Sequence, residues 1–154
     1  MTEDVAGLIA RMAELLQRLE DAGDPARFFL GTYLRTTRAV AAALDAGAFE
    51  DPAWVARWDV DFAGLYLDAL EAYRSDPAAP AAPWRLAFGA RPGLPPEAHV
   101  LLGMNAHINF DLPQALVRVI PGQEFADPAV AQPRLGDDQW GRGGGVHDQG
   151  LADR

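Results

Sequence analysis

Four polar side chains stand at alternate positions in the apolar stretch Met104-Asn-Ala-His-Ile-Asn-Phe-Asp-Leu: Asn105, His107, Asn109 and Asp111. On a helix that turns about 100° per residue, His107 and Asp111 fall about 40° apart on one face, and Asn105 and Asn109 pair likewise on the other. Buried without partners, such groups cost roughly 1–3 kcal/mol each, and a carboxylate more. Each therefore requires a neighbouring helix, a water or a metal ion. Asp59 and Asp61, set among Trp58, Val60 and Phe62, are candidates for a further carboxylate.

Three chemistries fit this pattern. His107, Asp111 and Asp61 form a ligand set of one imidazole and two carboxylates, which suits a divalent metal (zinc, iron or manganese) with positions open for water. Without a metal, His107 is a general base that Asp111 orients, in a small-molecule pocket whose binding groups are Asn105, Asn109, Tyr33 and Tyr66. The alternative is a non-catalytic interaction protein, in which a His donating to an Asp one turn away braces the core and the Asn pair bonds across helices. His99 reads as exposed near a helix start, and His147 lies in the tail. Trp54, Trp58, Trp84, Tyr66 and Tyr73 recur at helical spacing and read as core aromatics.

The elements that must position these residues are helices. No stretch alternates apolar and polar residues as a half-buried strand does. Val5, Leu8, Ile9, Met12, Leu15, Leu16 and Leu19 share one face of a first helix that Gly23 closes. Asp24-Pro25 opens a second, ending at Gly47, and Asp51-Pro52 opens a third that ends near Ser75. A Pro- and Ala-rich connector leads to a short apolar segment around Trp84, Leu86 and Phe88. Pro96 starts the fifth helix, which carries the motif. That helix is apolar all round, through Val100, Leu101, Leu102, Met104, Ile108 and Leu112, so it is expected in the middle of the fold with Leu101 and Ile108 in the core. Pro113 ends or kinks it.

The chain as a whole bounds the partners. With 154 residues it makes one domain. Thirteen basic residues, all arginine, against 22 acidic ones give a net charge of −9. That excess repels nucleic-acid backbones and anionic membrane surfaces at long range, so neither is expected as partner. The absence of cysteine removes disulfides, thiolate ligands and a thiol nucleophile. The acidic start Met1-Thr-Glu-Asp lacks the basic region of a secretory signal, and no apolar run approaches the roughly 18 residues of a membrane span. A cytoplasmic protein is the expectation. Past about Asp127 the chain is Gly-rich and aperiodic. The expected organisation is thus a helical domain over 1–126 and a disordered tail over 127–154.

One further signal comes from longer strings of residues. Leu101-Leu-Gly-Met-Asn-Ala-His-Ile-Asn-Phe-Asp-Leu is preceded by Phe49-Glu-Asp-Pro-Ala-Trp and by Asp61-Phe-Ala-Gly-Leu-Tyr, with Tyr33, Thr36 and Thr37 in an earlier block. In these, from about Pro25 to Ile120, the chain resembles a bacterial family described as a domain of unknown function, number 5995. The resemblance implies an all-helical fold and lends no activity. It also implies further helices after the motif, where this chain runs into its Gly-rich stretch, as a truncation or a shifted reading frame would produce. The fold expected is all-α: a single compact bundle of five or six helices around a buried central helix.

Overall fold

Helix boundaries follow the punctuation of the sequence. The computed structural model describes residues 4–120, and every regular element among them is helical. The Gly7 N–H donates to the Asp4 carboxylate at 2.7 Å, which caps helix α1, Val5–Asp21. Gly23, at φ 64°, turns the chain out of α1 in a conformation that side chains with a Cβ resist. Helix α2 runs Ala26–Asp45, and Gly47, at φ 67°, ends it in the same way. The Trp54 N–H donates to Asp51 at 2.9 Å, and Pro52 occupies the first turn of α3, Pro52–Ser75. The short helix α4 is Ala82–Phe88, and α5 is Pro96–Ala106.

Helix α5 continues without a break through a π-helical turn, His107–Asp111, into α6, Leu112–Val119. The Leu112 N–H donates to the carbonyl of His107, five residues back. Pro113 explains the widening. Its ring lacks an N–H and would press on the carbonyl of Asn109 four residues back, so one extra residue in the turn relieves the clash while the helix goes on. The proline neither ends the helix nor breaks it; it moves the motif into a wide turn.

Leu8, Met12 and Leu19 of α1 pack with Phe29, Leu30 and Leu34 of α2, and with Ala63, Leu67 and Leu70 of α3. Trp84 and Ala87 of α4 and Ala106 of α5 close this core. Helix α5 lies on α2 and α4, and α6 lies on α3. Gly103 lets α5 approach: a Cβ there would stand 2.4 Å from Cγ of Phe29.

The all-α bundle is as expected, with one correction. Helix α5 is covered on one face only. His99, Gly103 and Ala106 point inward, whereas Leu101 is 64% exposed and Met104 and Ile108 are each 46% exposed. An all-round apolar sequence shows that a helix can be buried on any side, and packing against α2 and α4 uses just one of them. Among the described residues no helix is long and apolar enough to cross a membrane. The tail expected over 127–154, with His147, lies outside the described residues, as does the boundary at 126.

Candidate functional site

The π-helical turn holds His107 and Asp111 on the inner face, 3% and 2% exposed. The imidazole Nδ1 lies 2.9 Å from Oδ2 of Asp111. The Trp84 indole N–H donates to both oxygens of the same carboxylate, at 3.1 Å each. An ionised carboxylate can only accept, so Nδ1 carries the proton, and Nε2 of the neutral ring is left as a bare acceptor. Asp111 is thereby tied to two elements at once, its own turn and α4.

Aromatic rings wall the imidazole. Phe62 of α3 stacks on it at 3.7 Å between centroids and 7° between planes. Tyr33 of α2 meets it at 4.6 Å and 61°, and Phe29, Tyr66 and Trp84 stand about one ring further out. Burial in these walls pushes the His107 pKa below its ordinary value, while the hydrogen bond and charge of Asp111 pull it upward more weakly. The ring is therefore neutral near pH 7.

Four buried polar atoms around this wall have no hydrogen-bond partner: Nε2 of His107, the hydroxyls of Tyr33 and Tyr66, and Oδ2 of Asp59. Loss of solvent raises the Asp59 carboxyl from 3.8 to about 6. Both phenols are held far above their usual range by burial, with the negative charges of Asp59 and Asp111 adding to the effect at Tyr33 and that of Asp24 at Tyr66. Both are therefore hydrogen-bond donors at any physiological pH. Buried polar groups in native proteins are as a rule paired, so orphans on His107, on the two tyrosines whose rings face it and on Asp59, whose charge acts on Tyr33, mark this region.

The structure sorts the residues singled out from the sequence. His107, Asp111, Tyr33 and Tyr66 come together. Asn105 and Asn109 do not join them: the Asn109 amide donates to Asn105 at 2.8 Å on the exposed side of the rod. Asp61 is half-buried and lies about 200° round α3 from Asp59. The face of α3 that reaches the imidazole carries Asp59, Phe62 and Tyr66. Among the described residues, no three His, Asp or Glu side chains gather closely enough to hold a metal ion.

One residue was named from the sequence but left out of the ligand set, and two more were missed or misplaced. Asp59 shares a face with Phe62 and Tyr66 at steps of three and four, a signal that periodicity alone carried. Trp84 is tied to Asp111 across 27 positions, and nothing in its local sequence announces it. His99 is buried, not exposed: its ring stacks on Phe28 at 5.8 Å, and its Nε2 has no partner.

No curated protein and no solved structure matched the chain. The model of a family of unknown function, DUF5995, matches residues 5–138, which take in all the described helices and the whole of the motif. The chain is a member of the DUF5995 family.

Proposed function

We propose that His107 is the working group of a small-molecule site, acting as general base or ligand-binding acceptor through Nε2. The observation that carries this is the set of unpartnered buried atoms: Nε2, the Tyr33 hydroxyl and Oδ2 of Asp59. Asp111 fixes the tautomer and the ring orientation, and Trp84 holds Asp111. A neutral imidazole with a lone pair free takes a proton from a bound hydroxyl or carbon acid, while a Tyr33 donor steadies the oxygen that becomes negative. The aromatic walls favour a flat or apolar body. A π-helical turn at the site agrees with the habit of such turns to occur where function is.

A divalent metal at the same pair has two protein ligands among the described residues, His107 and Asp111, and Asp111 is already engaged by Trp84. The site we propose is therefore metal-free, in a cytoplasmic protein whose charge of −9 disfavours nucleic acid as partner. The second reading is the structural brace. Its specific support is the close packing of rings on His107, which is 3% exposed, together with Asp111, which joins α4 to the π-helical turn as a brace does.

Reaction of the folded protein with diethylpyrocarbonate separates the two. A site that admits small molecules lets His107 be modified at Nε2 far faster than the protein unfolds, and Asp111→Asn changes that rate. Modification of His107 only at the rate of global unfolding would leave the brace. Thermal melts with chelator, with zinc and with manganese complete the test. A wild-type gain with metal that His107→Gln abolishes restores the metal.

A further inference from the structure

Away from His107, a groove of about 560 Å³ runs between α2 and α5. That volume is of the size that small ligands occupy. Arg27, Gly31 and Arg35, spaced four apart, form one side along α2, and Glu97, Val100 and Leu101 form the other along α5.

Among the described arginines, Arg27 is set apart by a guanidinium nitrogen that is buried without a hydrogen-bond partner, and the exposed Arg35 stands two turns further along the same stripe. Arg11 and Arg18 reach carboxylates, at 3.8 Å to Asp68 and 3.5 Å to Glu14. Among the described residues, neither Arg27 nor Arg35 makes an ion pair, although Glu20 and Glu97 line the same groove and the chain carries 22 acidic residues. The Arg27 guanidinium lies 4.2 Å over the Phe28 ring, and its Nη1 is shut off from solvent with no hydrogen-bond partner. Arg35 donates to the Thr32 hydroxyl at 3.2 Å, which leaves most of its N–H groups uncommitted. A partly desolvated cation with no counter-ion is a strong attractor for a carboxylate, which it can grip through two parallel hydrogen bonds.

We propose that this groove binds a small soluble monocarboxylate with an apolar body. The carboxylate engages Arg27 and Arg35, and the body lies along Phe28, Val100 and Leu101. Glu20 and Glu97 line the groove without pairing to either arginine, so its net charge is near zero; the carboxylate is held by its local contact with Arg27, and a dianion such as inorganic phosphate is disfavoured. The neutral alcohol of the same chain length lacks the partner that Arg27 needs.

The test is a titration of the full chain with octanoate, octan-1-ol and inorganic phosphate, followed by amide NMR shifts. Octanoate is expected to give saturable shifts at Gly31, Thr32, Val100 and Leu101. Octan-1-ol and phosphate should bind more weakly by about tenfold or more, the size of one charge-assisted hydrogen bond. Arg27→Gln and Arg35→Gln should each weaken octanoate to a similar degree. Leu101→Glu, at an exposed position, should do so by repulsion without touching the fold, and a circular-dichroism melt of each variant confirms that it folds. Equal binding of octanoate and octan-1-ol, binding unchanged in the three variants, shifts elsewhere on the molecule, or no saturable shift at all would each overturn the proposal. None of these outcomes bears on His107, which the groove does not include.

Discussion

The Phe62 ring lies face to face with the His107 imidazole, 3.7 Å away, and closes one side of it to water. A ring so covered is harder to charge, and it cannot swing away from Asp111. Stacking by α3 and the hydrogen bond within the π-helical turn therefore act together. One suppresses protonation, and the other selects which nitrogen is left free.

Asp59 stands on the same face of α3, and its raised pKa makes a stability prediction. Its carboxyl titrates near 3.8 when exposed and at about 6 in the fold. Between these values the native state holds the extra proton, so the contribution is complete below 3.8 and is lost as pH rises through about 6. Above both values the difference is worth about 3 kcal/mol as an upper figure. Asp59→Asn is therefore expected to stabilise the protein by ~1–3 kcal/mol at pH 8 and to change it little at pH 4. His107 works in the opposite sense: its depressed pKa means that stability drains away as pH falls below about 6.5. Urea titrations of wild type, Asp59→Asn and His107→Gln across this range check both signs. A variant at 59 that lost stability at pH 8 would contradict the desolvated carboxylate.

Trp84 supplies the only indole N–H that reaches Asp111 among the described residues. Trp84→Phe keeps an aromatic body and removes that donor, so it should cost ~1–3 kcal/mol through a carboxylate left short of a partner. Asp111→Asn in the same background should then cost less than it does alone, since the two share one interaction. A double-mutant cycle by chemical denaturation measures the coupling. Strict additivity would mean that the hydrogen bond carries no energy.

Gly103 and Gly64 form a matched pair. A Cβ at Gly103 meets three atoms of Phe29 at 2.4, 2.7 and 2.9 Å, whereas one at Gly64 meets nothing within 4 Å. Gly103→Ala should destabilise by ~1–3 kcal/mol as overpacking does, and Phe29→Leu should recover part of the loss. Gly64→Ala, inside α3, should be neutral or stabilise by up to ~1 kcal/mol. Thermal melts of the four proteins decide it, and equal effects at the two glycines would show that α5 does not press on Phe29.

The exposed face of α5 makes a further contrast. Leu101→Ala should change stability by less than ~0.5 kcal/mol, in keeping with a surface position. Leu67→Ala, fully buried in α3, should cost ~2–5 kcal/mol. A large loss at Leu101 would mean that its face is covered in solution.

Much of this molecule is local and so could be read from its sequence. Helix starts at Asp4 and Asp51 and stops at Gly23 and Gly47 depend on a few neighbouring residues, as capping and positive φ always do. The pairs His107–Asp111 and Asn105–Asn109 sit one turn apart, so their contact is a property of the helix that carries them. Tertiary packing decided the rest, because it joins residues that no short-range rule connects. It buried Asp59 rather than Asp61, on the face of α3 that carries Phe62 and Tyr66, by the way α3 is rotated, and it brought Trp84 to Asp111 from another helix. It left one side of α5 in solvent, since an apolar helix records that burial is favourable and only its neighbours determine which face receives it.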